Sequence, residues 1–106
     1  MATIEELDAK RFRFSYRNVS VYITVSIKDR QPWEIFIAFP TSGDPKLELT
    51  LAGTDAMCRL ASLALRSGAS VADVCKQLNR ASRTQGDMPA LMVQAFEKTI
   101  QRCQNE

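Results

Sequence analysis

The sequence contains no histidine. That absence removes the commonest general base near neutral pH and the commonest zinc ligand. It also excludes a Ser-His-Asp triad or a Cys-His pair built from this chain alone. Cysteine is scarce as well. Cys58, Cys75 and Cys103 make an odd count with no C-x-x-C spacing, and each falls in a predicted helix. They are expected to be reduced thiols acting as small core hydrophobes. No apolar run approaches the ~18 residues of a membrane span. The opening MATIEELDAKRF has no apolar stretch, so no secretory signal is expected. Neither sign of charge dominates: 14 Lys and Arg against 12 Asp and Glu leave a formal net charge of +2. That is too mild to argue for DNA or RNA as a partner. The four glycines follow no G-x-G-x-x-G or Walker spacing. Asp29, Glu34, Asp44 and Glu48 show no metal-loop spacing. The expectation is a cytoplasmic protein without catalytic residues, metal or cofactor.

What is present reads as one α+β domain over residues 1–106, with strands over about 11–51 and helices over about 55–103. In RFRFSYRNVSVYITVSIKD the side chains alternate with period two. Phe12, Phe14 and Tyr16 occupy even positions, then Val19, Val21, Ile23, Val25 and Ile27 occupy odd ones. The change of parity predicts two strands joined near Arg17–Asn18. KDRQP predicts a further turn. WEIFIAF is apolar at nearly every position, as expected of a central strand covered on both faces. PTSGDP predicts a loop, and the alternation of Leu47, Leu49 and Leu51 in KLELTL predicts a fourth strand. The expected sheet is antiparallel, with about four strands and two to three helices on one face.

The second half carries helical spacing. Thr54 or Asp55 is the expected start of a helix reaching about Ser67, and Gly68 suits the left-handed position after its end. Ser70 with Asp73 resembles a capping box. Val71, Val74, Cys75 and Leu78 follow i, i+3, i+4, i+7. A last helix over 88–103 places Leu91, Met92, Ala95, Phe96, Thr99, Ile100 and Cys103 on one stripe. Gln94, Glu97, Lys98, Gln101 and Arg102 lie opposite. The apolar strand faces and this last helix exceed one small core, which points to a homo-oligomer, at least a dimer, with a hexamer one of the higher forms expected.

Residues 59–83 hold five cations, Arg59, Arg66, Lys76, Arg80 and Arg83, against one carboxylate, Asp73. Two readings apply. A solvated helix face explains them all, and Arg66 complements the dipole at the end of its helix. Arginine is also the residue type suited to bidentate grip on phosphate, and Arg66 precedes a helix start. Phe39, beside Pro40 and the loop, is the aromatic best placed to stack on a base. Ser20, Tyr22, Thr24 and Ser26 form a polar, uncharged strand face, suited to solvent, a subunit contact or a ligand floor.

The segments FIAFPTSG and LAGTDAMCRLASLALRSGASVADVCKQL carry a resemblance. Over about residues 19–80 the chain resembles the TSCPD-type module at the C-terminal end of vitamin B12-dependent ribonucleotide reductases, with LALRSG its most specific piece. The terminal cysteine motif of those modules is missing, so the resemblance implies no redox or metal role for this chain. In layout the chain is also similar to small phage proteins that sequester a cyclic ADP-ribose signal of Thoeris defence. Those proteins are oligomers that hold the nucleotide with an aromatic residue and arginines. That resemblance implies a non-enzymatic sponge for a cyclic ADP-ribose-like or cyclic oligonucleotide ligand. Phe39 would stack on the base, and Arg66, Arg80 and Arg83 would hold phosphate. The first resemblance implies the alternative, an accessory module of a ribonucleotide reductase. Taken as a free-standing chain of 106 residues, the sequence favours the sponge.

Overall fold

A computed structural model of the protein describes residues 4–105. The chain runs β1 (Asp8–Tyr16), β2 (Val19–Lys28), β3 (Gln31–Ala38), α1 (Pro45–Arg66), α2 (Val71–Ala81) and α3 (Met88–Asn105). The strands form one antiparallel sheet in the order β1-β2-β3. Both hairpins turn through two residues with positive φ: Arg17 and Asn18 at 49° and 64°, Asp29 and Arg30 at 53° and 64°. Such turns match the right-handed twist of paired strands, and Asn and Asp tolerate the left-handed region better than most residues. The change of parity in the sequence is therefore the β1–β2 turn. Phe12 pairs with Ile23 and Phe14 with Val21, so the apolar sets of both strands share one face.

The helices cover that face. Val21, Ile23, Val25 and Ile35 pack with Leu47, Leu51, Cys58 and Leu65 of α1 and with Leu91, Met92, Ala95 and Phe96 of α3 in one buried cluster. Thr54 and Thr99 are buried within helices, where each hydroxyl donates to a carbonyl one turn back, Thr50 O at 2.9 Å and Ala95 O at 2.8 Å. Burial of these groups therefore leaves no polar orphan.

Three expectations change. KLELTL is the start of α1, not a fourth strand. Asp44 caps it, accepting from the N–H groups of Lys46 and Leu47, and Pro45 occupies the first turn. This Asp-Pro start outweighs the local alternation. Leu47 and Leu51 are buried one turn apart, while Leu49 is 76% exposed. Thr54 and Asp55 accordingly lie inside α1 and do not begin it. WEIFIAF forms β3 at the edge of the sheet, and the central strand is β2. Phe36 faces away from the helices and is 48% exposed.

The free edge of β3 is closed by α1. The hydroxyl of Ser62 accepts from Ile35 N–H at 2.9 Å and donates to Ile35 C=O at 3.0 Å. Ser62 is buried, so it replaces both ladder bonds that a fourth strand would have made to Ile35. One turn further on, Arg66 Nη1 donates to Glu34 Oε2 at 3.0 Å, and Glu34 Oε1 accepts from Ser26 Oγ at 3.2 Å.

The joint after α1 is a Schellman end. Gly68, at φ 104°, donates to Leu65 O, and Ala69 N–H donates to Ala64 O. Ser70 then caps α2 by accepting from Asp73 N–H at 3.0 Å. Asp87 organises the loop before α3. Its carboxylate accepts from Arg83 N–H at 2.7 Å, Ser82 Oγ at 2.8 Å, and Thr84 N–H and Ala90 N–H at 3.1 Å. Desolvation acts to raise its pKa, but these four bonds outweigh it and hold the carboxyl at about 2, below its usual 3.8.

Two outcomes follow from these contacts. Ser62→Ala leaves the buried Ile35 groups unpaired and should lower unfolding stability by about 2 kcal/mol in urea titration, with faster hydrogen exchange at the Ile35 amide. Asp87→Ala should cost about 1 kcal/mol at pH 7 through loss of the cap. Because the folded pKa is depressed, the Asp87 contribution is complete above about pH 4 and fades as pH falls toward 2. The gap between wild type and Asp87→Ala should therefore narrow over that interval in pH-dependent thermal denaturation.

Candidate functional site

The cations of residues 59–83 do not converge within one chain. Arg59 pairs with Asp55 on its own helix at 2.9 Å. Arg66 is engaged by Glu34, so an anion there has to compete with a carboxylate already in place. Arg80 is exposed in the last turn of α2. It is separated from the Arg66 end by the length of that helix, about 16 Å. Arg83 lies in the loop after α2 with its backbone committed to Asp87. Phe39 follows the end of β3 and is partly buried against the core. It stands five extended residues beyond Glu34, about 16 Å from the Arg66 contact.

A cavity of about 480 Å³ does lie beside the α1–α2 joint, bounded by Leu65, Gly68 and Ala69 and by the Lys28–Trp33 hairpin. Lys28 stacks on Trp33 with Nζ 4.8 Å from the ring centre. Its one cation is offset by Asp29 in the same wall.

A group of four cations lies elsewhere, between the β1 edge and α3. A groove of about 500 Å³ is lined by Arg11, Phe12, Arg13 and Phe14 of β1 and by Gln94, Lys98, Gln101 and Arg102 of α3. The lining holds four cations, two amides and no carboxylate. Among the described residues none of the four cations has an ion-pair partner. Arg11 lies over the Tyr22 ring at 4.4 Å, a cation–π contact that braces its guanidinium without neutralising it. Phe12 and Phe14 are half-buried and supply apolar, aromatic surface.

Backbone geometry adds donors. Ile35 turns its N–H and C=O away from β2 toward Ser62. Val25, opposite it, therefore turns its own toward β1, where it meets Lys10. Alternation along β1 leaves the N–H and C=O groups of Arg11 and Arg13 pointing off the open edge. Chemically, the groove offers guanidinium forks, an ammonium group, amides and edge N–H groups beside aromatic rings. That set suits a multiply charged anion with a planar portion.

These residues were present in the sequence as two separate signals, the odd face of the first strand and the polar stripe of the last helix. Nothing local joins positions more than 80 residues apart. Of the thiols, Cys58 and Cys103 are buried as small core hydrophobes should be, while Cys75 is half-buried. Burial, with repulsion from Asp55, pushes Cys58 up to about 12, and burial with Glu97 raises Cys75. Neither is poised as a thiolate nucleophile near neutral pH. Among the described residues no helix is long and apolar enough to cross a membrane, and no group of three His, Cys, Asp or Glu side chains gathers as a metal site.

No curated protein and no solved structure matches the chain. A family model described as the TSCPD domain matches residues 3–100, nearly the whole sequence and more than the stretch around LALRSG on which the resemblance rested. The three-stranded antiparallel sheet with its helical layer is thus the form this sequence gives to that module, and the chain belongs to the TSCPD domain family.

Proposed function

We propose that this TSCPD-family chain is a non-enzymatic nucleotide-binding protein that sequesters a cyclic ADP-ribose-type or cyclic oligonucleotide signal. The observation that carries the reading is the β1–α3 groove, with four cations that have no ion-pair partner among the described residues and no carboxylate in its lining. Keeping Arg11, Arg13, Lys98 and Arg102 together without counter-charge costs repulsion, which a bound phosphate relieves. A diphosphate fits charge on both sides of the β1 edge: Arg11 and Arg13 rooted on the sheet face away from the helices, with Arg11 braced on Tyr22, and Lys98 and Arg102 on α3. Phe12 or Phe14 takes the stacking role that the sequence had suggested for Phe39. Release of the ligand unchanged fits a groove that holds no paired nucleophile and base. The assembly into a homo-oligomer expected from the sequence brings several such grooves into one particle.

The family membership supports a second reading, an accessory module of a B12-dependent ribonucleotide reductase. It predicts binding to a reductase subunit, with no retention of a signal nucleotide.

Native mass spectrometry of the intact protein with cyclic ADP-ribose isomers, cyclic dinucleotides, cyclic trinucleotides and dNTPs separates the two. The sponge reading expects one class of cyclic ligand to be retained. Retention of none of them would contradict it. Isothermal titration with the retained ligand then locates the site. Arg13→Ala and Arg102→Ala should each weaken binding about tenfold, as expected for loss of one charge-assisted contact. Affinity should also fall as salt rises from 50 to 500 mM. Phe39→Ala, Arg66→Ala, Arg80→Ala and Arg83→Ala should stay within about twofold of wild type. The reverse pattern would return the site to the α1–α2 side.

A further inference from the structure

Helix α1 has two apolar faces, and the core uses only one. Leu47, Leu51, Thr54, Cys58, Ala61 and Leu65 point inward and are buried. On the other side Leu49, Gly53, Ala56, Leu60 and Leu63 follow the spacing 4, 3, 4, 3 and are all exposed. Leu49, Leu60 and Leu63 are 76%, 66% and 54% exposed. No charged residue interrupts this line from Leu49 to Leu63, and the nearest charges, Asp55 and Arg59, neutralise each other along the helix. A repeat of 3.5 residues is the period of a helix that packs along another helix.

Gly53 is the telling residue. It lies in the interior of a 22-residue helix, where glycine is the weakest former after proline. Its φ is not in the left-handed region, and a Cβ placed on it would meet nothing within 4 Å in this chain. Neither backbone conformation nor packing inside the chain calls for glycine there. Close approach by a helix from outside the chain does.

The order Leu49-Gly53-Ala56-Leu60 is also self-complementary. If a second copy of α1 runs antiparallel, with a two-fold axis between Gly53 and Ala56, each Leu49 meets the partner's Leu60 and each Gly53 meets the partner's Ala56. Small residues then meet at the crossing point and leucines close both ends. A two-fold contact requires this kind of self-matching surface. The geometry points to an antiparallel α1–α1 contact between two copies of this chain, centred on Gly53 and Ala56. Arg59 then lies level with the partner's Thr50. The shallow apolar hollow between α1 and α2, lined by Met57, Leu60, Ala64 and Leu78, adjoins the seam and extends it.

This contact is independent of the ligand reading, because the β1–α3 groove is built from other elements. The test is light scattering of the full chain after size exclusion at micromolar concentrations, together with directed cross-linking. Wild type should have the mass of a dimer or a multiple of it. Leu60→Lys should halve that mass while keeping the wild-type circular dichroism spectrum. Under mild oxidation the double variant Leu49→Cys, Leu60→Cys should form a covalent dimer. Leu49→Cys alone should not, since the two Leu49 positions lie about 16 Å apart in this register. A monomeric wild type, an undiminished mass in Leu60→Lys, or efficient cross-linking through Leu49→Cys alone would each overturn the proposal.

Discussion

The hydroxyl of Ser62 on the backbone of Ile35 is the contact on which the arrangement turns. A three-stranded sheet has two open edges, and a small domain that leaves both open invites uncontrolled strand pairing. Here a helix takes the place of the fourth strand, and one side chain completes the hydrogen bonding that the strand would have provided. Once α1 is fixed along β3, Leu47, Leu51, Cys58 and Leu65 are committed to the core, and Arg66 is committed to Glu34. The opposite face of α1 is then necessarily turned outward. The two-residue hairpins set the phase of the ladder, so they decide both that Ile35 turns toward Ser62 and which backbone groups of β1 remain free at the far edge.

The two edges are treated differently. The β3 edge is covered by a helix and finished with an ion pair. The β1 edge stays open, but Arg11 and Arg13 line it, and Lys98 and Arg102 face it from α3. Edge cations discourage pairing with another strand, because a second copy would bring arginine against arginine. The same charges make the edge attractive to an anion. A chain of nearly balanced net charge thus gathers four of its cations in one groove whose lining holds no carboxylate.

Much of the fold was legible in the sequence because its signals are local. Parity placed the first hairpin, Gly68 and Ser70 placed the joint, and the apolar stripe from Leu91 to Cys103 placed the last helix. Local ambiguity accounts for the main error. Leu47, Leu49 and Leu51 alternate as a strand would, yet Leu47 and Leu51 are equally one helical turn apart, and the Asp44–Pro45 start decided between them. WEIFIAF read as a central strand because near-continuous apolarity does not distinguish cover by two layers from cover by one layer and a flanking helix. The site was less legible. The cations of residues 59–83 are close in sequence, but one is bound by Glu34, one by Asp55, and the rest are spread along α2 and the loop after it. The groove joins residues from opposite ends of the chain, and only the packing of α3 beside β1 brings them together.

The most direct test of this account is a ¹⁵N–¹H correlation spectrum of the protein titrated with cyclic ADP-ribose and then with a cyclic trinucleotide. The account predicts that one of them shifts the backbone amides of Arg11, Arg13, Lys98 and Arg102 together, leaving those of Arg66 and Arg80 in place. Saturable shifts confined to the α1–α2 joint and Phe39, or no shifts with either ligand, would contradict it.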